Sequence, residues 1–209
     1  MTENLYIAAS CSIVNNVVIK DSKSLFENKG MAVQPFLVSV YQHFAINYPR
    51  FYKMDNLCKL GWLATEILVE HSFDKTAYQA EDIGVVLSNS SSSLDTDIKY
   101  YETVKTIASP ALFVYTLPNI VLGEICIRHN FKGENDFFIF ENFNAGFIQQ
   151  YVSHLFETGV LKACICGWVE IMDDNYEASL YLIEKKENGN TLFTEENIHH
   201  PPGQPRLND

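Results

Sequence analysis

The run Val160 to Ile171, VLKACICGWVEI, is almost unbroken in its apolar character. A strand that is hydrophobic on both faces must be covered on both faces, as parallel strands in the middle of α/β sheets are. The chain therefore has to provide helices for two layers and further strands beside this one. Its order of elements does so: a strand, an irregular stretch, a helix, a strand, two helices, a strand, a helix and two closing strands. Strands alternating with helices imply a layered α/β domain with a mixed sheet covered by helices. A length of 209 residues with 47% hydrophobic content is enough for one such domain with a full core.

In chain order, Leu5 to Val14 reads as the first strand. Residues 15–50 are broken by Pro35 and Pro49, and the FLVSVYQHF between them fits a strand or a surface helix. A helix opens at Met54, with Asp55 as N-cap and Leu57, Leu60, Ala64, Ile67 and Leu68 on one apolar face. Gly61 inside it predicts close approach of another backbone, since such a glycine otherwise costs about 1 kcal/mol relative to Ala. Ile83 to Leu87 is a buried strand. The polar loop Asn89 to Ser93 follows at its C-terminal end, where open α/β sheets place their sites, although serines are also ordinary loop residues. From Leu94 an amphipathic helix is expected, with Leu94, Ile98, Tyr101 and Val104 inward. ALFVYTLPN reads as extended, and Pro118 suits the first turn of the next helix. That helix is apolar at Ile120, Val121, Ile125 and Ile127, and its Gly123 again suggests tight packing. Ala178 to Lys186 is the last strand of a domain over residues 1–186. Residues 187–209 form a polar tail, expected to be mobile after about Phe193.

The stretch Lys132 to Gly159 carries the candidate site. Gly133 ends a helix, Phe137 to Phe140 (FFIF) has a strand's length and aromatic content, and ENFNAG makes a tight break. A helix then runs through Phe147, Ile148, Tyr151, Val152, Leu155 and Phe156, with Gly159 as its C-cap. A helix N-terminus presents free N–H groups and a positive dipole end, so many enzymes put a nucleophile there. Here the turn holds Asn142, Phe143, Asn144 and Ala145, and none of them is a nucleophile. Phe137, Phe138, Phe140, Phe143 and Phe147 crowd the same stretch. Such a set fits a core, or an interface, where aromatics dominate binding energy.

The formal net charge of −11 argues against nucleic acid as a partner, because phosphate binding needs basic surface. It argues equally against direct docking of an acidic carrier protein. No apolar run reaches the ~18 residues of a membrane span, and the N-terminus lacks the basic start and long apolar core of a signal peptide. The expected location is the cytoplasm. Of the five cysteines, Cys164 and Cys166 share one face of a strand, but suitably spaced further ligands are missing, so no metal and no cofactor is expected. His199 and His200 read as solvated.

Several segments, in order, resemble the β-ketoacyl synthases. MDNLCKLGWLATEIL is similar to their helix that begins Met-Asp and carries a glycine six residues on. SPALFVYTLPNIVLGEICIRHNFKGEND resembles the Ser-Pro, Pro-Asn, Gly run before their nucleophile, and VLKACICGWVEIM the strand ending in Gly-Gly-Xaa-Glu. IGVVLSNSSSS resembles their Gly-Val strand and glycine-rich loop, with serines for glycines. The likeness spans about residues 50–185 and implies the thiolase-like fold, with residues 1–186 as the N-terminal half of a ketosynthase.

The departures matter as much. Counting back from Gly159 puts Asn142 at the position of the family's active cysteine, with Phe140 to Ala145 replacing the whole Thr-Ala-Cys-Xaa-Ser-Gly box. An amide nitrogen is delocalised into its carbonyl and cannot serve as the nucleophile. The family's two active-site histidines lie in a second half; His129 and His154 match neither. The resemblance thus implies a noncatalytic, chain-length-factor-like subunit of an aryl polyene or flexirubin-type system. Its partner would be a full-length β-ketoacyl-ACP synthase, with acyl carrier protein bound through that partner. Phe137, Phe138, Phe140, Glu141, Asn142, Phe143 and Phe147 would lie at the interface and acyl tunnel. Glu141 and Asn142 would be costly to bury without partners. Two alternatives are a self-associating acyl-binding or scaffolding protein, and a divergent acyltransferase using Cys164 or Cys166.

Overall fold

The computed structural model describes residues 4–186 and 191–199. Its centre is the apolar run Val160 to Ile171. β6 (Ala163–Met172) sits between β4 (Ile83–Asn89), parallel to it, and β7 (Asn175–Glu184), antiparallel to it. The strand is covered on both faces as expected, but it is parallel on one side only. β1 (Tyr6–Val14) pairs antiparallel with β7, and β5 (Asn135–Ile139) pairs parallel with β4. With β2 (Val17–Lys20) and β3 (Lys23–Glu27), the full order is β3-β2-β1-β7-β6-β4-β5, and a two-residue strand β8 (Thr191–Leu192) pairs with β1.

One face of the sheet carries the larger core, under α1 (Val33–His43), α2 (Asn56–Val69) and α5 (Ile120–His129). Asp55 caps α2, accepting the Cys58 N–H at 2.9 Å, and the expected apolar face is buried. Burial extends around the whole helix to Trp62 and Leu63, because α2 lies between the sheet and its helical neighbours. The other face is covered by α6 (Ala145–Glu157) and by the short α7 (Glu195–Ile198).

The structure departs from the sequence reading in six places. Residues 15–50 hold a hairpin, β2 (Val17–Lys20) and β3 (Lys23–Glu27), whose turn places Asp21 and Ser22 at positive φ; FLVSVYQHF is helical in α1. The stretch expected as extended forms α4 (Pro110–Phe113) and turns, and Pro118 precedes the cap of α5. α5 ends on Asn130 in the left-handed conformation, so Gly133 does not end it. What approaches Gly61 is the side chains of Val121 and Val169, and the space above Gly123 is open.

The fifth departure is α3 (Leu94–Val104), which is turned inside out. Leu94, Ile98, Tyr101 and Val104 are exposed, whereas Asp95 and Thr96 are buried. The polar face is bound to the body: Thr96 Oγ1 donates to Asp55 at 2.6 Å, and Asp95 accepts the Asp173 N–H and an ion pair from Lys99. The segment read as tail also takes part in the fold over 191–199, where Phe193 and Ile198 are buried. Residues 187–190 and 200–209 lie outside the described residues. Among the described residues no helix is long and apolar enough to cross a membrane.

Candidate functional site

Strand β5, the turn and α6 are built as the sequence suggests. β5 runs beside β4 with Leu87 opposite Phe137 and Ser88 opposite Phe138, and the Phe140 N–H extends the ladder to the Asn89 carbonyl. The chain turns through Glu141 to Asn144, and Asn144 Oδ1 caps α6 by accepting the Phe147 N–H at 3.0 Å. Gly159, at φ +74°, ends that helix in the left-handed conformation that favours glycine.

The candidate residues divide into three groups. Phe137 faces the α2–α5 core. Phe138 and Phe140, two apart on the strand, share its other face and meet Phe147 of α6 edge-on at 4.8 and 5.1 Å. Tyr151 stacks on Phe147 and donates its hydroxyl to Asp136 at 2.8 Å. Phe143 turns away towards Trp168, 6.0 Å between ring centroids. Glu141 and Asn142 are exposed, so neither carries a desolvation cost in the lone chain. Asn142 stands in the turn just before α6. It lines a shallow cleft with Phe143, Trp168, Tyr181, Ile198 and His199, of about 330 Å³.

Trp168 lines this cleft and Glu195 a neighbouring one beside Asn142; the sequence singled out neither for the site, and His199 was expected only to be solvated. Trp168 was hidden inside the apolar run. α7 had a visible signal, Thr194 followed by Glu195 and Glu196, a capping residue with acidic neighbours.

The serine loop is tied down by its own bonds. Glu170 accepts the Ser90 N–H and hydroxyl, both at 2.6 Å, and Asn89 and Ser92 bond each other twice. Ser92 stands at φ +52°, a conformation that glycine adopts more easily. Cys164 and Cys166 are fully buried, and burial pushes both thiols far above their ordinary range, which deprives them of thiolate. Among the described residues no group of three His, Cys, Asp or Glu side chains could hold a metal ion.

The sheet ends at β5. Among the described residues it pairs only with β4, so one edge of its backbone is open. Exposed apolar side chains stand on β5 (Ile139), α6 (Phe147) and α5 (Ile127), and on α3 and the segment after it (Leu94, Ile98, Ile107, Phe113 and Leu117).

No protein-family model and no curated protein sequence matches the chain. Solved structures do. "The ishigamide ketosynthase/chain length factor" matches with a TM-score of 0.62 and 16% identity, over 88% of this chain and 63% of that one. "AntDE:AntF (apo): type II PKS acyl-carrier protein in complex with its ketosynthase bound to the hexaketide" matches with 0.61 and 14%, over 92% and 66%. "Ketosynthase (ApeO) in Complex with its Chain Length Factor (ApeC) from Xenorhabdus doucetiae" matches with 0.59 and 10%, over 88% and 80%. The chain therefore spans a little under two thirds of the length of the first two matched chains and four fifths of the third. At these identities the likeness establishes the fold: a thiolase-like, ketosynthase-type layered α/β domain, corresponding to part of a ketosynthase or chain-length-factor chain.

Proposed function

We propose that this chain is a noncatalytic, chain-length-factor-like subunit. It heterodimerises with an active β-ketoacyl-ACP synthase and helps to bound that partner's acyl tunnel, in a polyketide or fatty-acid-type pathway of the aryl polyene or flexirubin kind. The observation that carries the reading is the open edge of β5 flanked by exposed apolar side chains. An unpaired strand edge and a broad apolar surface are liabilities in a monomer and ordinary features of an interface. Asn142 at the nucleophile position, and thiols held protonated by burial, support a role without chemistry of its own. The acidic surface suits a subunit whose partner carries the basic docking site for the carrier protein. The neighbours named above include ketosynthases solved together with chain length factors, which supports a partner of this kind.

The test is co-expression with a ketosynthase encoded beside it, for the wild type and for Ile139→Lys. Ile139 is 48% exposed, so the variant should fold with a stability change within about 0.5 kcal/mol. The wild type should co-purify and the variant should not. A wild-type chain that leaves the column alone sinks the proposal, and a stable homodimer in light scattering would favour the self-associating alternative.

A further inference from the structure

The second face of the sheet is covered by two elements of unequal strength. α6 lies over β4 and β6. The segment Thr191–His199 lies over β1 and β7, with Phe193 and Ile198 buried in one cluster with Leu5, Tyr181 and Ile183. Among the described residues, its backbone is joined to the sheet by a short ladder and single bonds. β8 pairs with β1 at two positions, Tyr6 with Leu192 and Ile7 with Thr191. The Phe193 N–H donates to the Leu5 carbonyl at 2.8 Å, and Tyr181 donates its hydroxyl to the Ile198 carbonyl at 3.2 Å. Within the segment, Thr194 caps Asn197, and Asn197 Nδ2 returns to the Leu192 carbonyl.

The segment also reaches the site. A Cβ placed on Gly146, in the first turn of α6, would stand 3.0 Å from Glu195 Oε2, so the Glu195 carboxylate lies against that turn. Ile198 and His199 form one side of the cleft at Asn142. By contrast β6 and β7 are joined over ten registered pairs in the middle of the sheet. Elements held by few buried side chains and short ladders open at lower free energy than the core they cover.

We infer that residues Thr191–His199 are a strap that opens independently of the rest of the fold. Closed, the strap seals the apolar face of β1 and β7 and one wall of the Asn142 cleft. Open, it uncovers Tyr181, Ile183 and the first turn of α6. This inference makes no use of the β5 edge and holds whether or not a ketosynthase binds there.

Amide hydrogen exchange on the full chain tests it, for the wild type and for Ile198→Ala and Phe193→Ser/Ile198→Ser. In the wild type, the amides of Phe193 and Asn197 should exchange at least about 100-fold faster than the central amides of β6 and β7, as sub-global opening requires. Ile198→Ala should speed strap exchange about tenfold and leave β6 unchanged. The double variant should stay folded by circular dichroism and bind the apolar dye ANS several-fold more than the wild type. Strap amides that exchange in step with β6 overturn the inference. So does an Ile198→Ala chain whose β6 amides accelerate as much as the strap, or a double variant that loses the fold, since each would make the segment part of the cooperative core.

Discussion

Two glycines inside helices give a paired test of packing in this fold. Gly61 of α2 and Gly123 of α5 each lack a side chain in a conformation where alanine is intrinsically better by about 0.5–1 kcal/mol. Their surroundings differ. A Cβ on Gly123 meets nothing within 4 Å, whereas a Cβ on Gly61 would stand 2.7 Å from Cγ2 of Val121 and 3.4 Å from Cγ1 of Val169. Val121 and Val169 are fully buried, and a β-branched residue in a helix has one strongly favoured rotamer, so Val121 cannot swing aside. Gly123→Ala should therefore keep the whole propensity gain, a rise in Tm of about 1–4 °C for a chain of this size. Gly61→Ala receives the same gain but meets an overpacking cost of about 1–3 kcal/mol. Because the propensity contribution cancels between the two variants, their difference isolates that cost: Gly61→Ala should melt below Gly123→Ala by roughly 2–12 °C. Thermal unfolding followed by circular dichroism, repeated with urea, measures it. Equal stabilisation of both variants would refute the claim that α2 and α5 are in contact at Gly61.

Acid stability should depend on Glu66. Burial pushes its carboxyl upward, but the hydrogen bonds of His129 and Arg128 outweigh this and leave it below its ordinary 4.5. A lowered folded value means stability that is present above 4.5 and is lost as the pH falls through the folded value. Glu66→Gln should thus cost about 1.5–3 kcal/mol at pH 7, with the gap to wild type closing in urea titrations below pH 4.5; a gap constant with pH would contradict the sign. Among the cysteines, Cys126 is partly exposed and raised by burial to about 11, while Cys11, Cys58, Cys164 and Cys166 are buried. Iodoacetamide with peptide mapping should label Cys126 first in the native chain, and rapid modification of Cys164 or Cys166 instead would restore the acyltransferase alternative.

Legibility in the sequence followed how far local pattern determined the answer. α2 was legible because Asp55 and a long apolar face coincide, and the β5–turn–α6 unit because FFIF, Asn144 and Gly159 mark its parts. The hairpin of β2 and β3 was not, since its turn uses Asp21 and Ser22 at positive φ where glycine would have been the signal. Gly123 misled because a glycine reports that no Cβ is present, not that something fills the space. In α3 the periodicity was legible and its direction was not. Period fixes that Leu94, Ile98 and Tyr101 share a face; which way that face points depends on Thr96 reaching Asp55 and Asp95 reaching Asp173, bonds of long sequence separation. That Asn142 and the phenylalanines gather about one turn was legible from the chain, but the division of the phenylalanines among three surroundings depends on β4, Trp168 and α7.

The reversal of α3 bears on how the polypeptide fares before it meets any companion. Large greasy side chains on the outside invite clumping and mark a newly made copy for chaperones and proteases. Synthesis in excess of whatever shelters that shoulder would then be wasted, and the amount of surviving protein would follow the supply of shelter more closely than the rate of translation.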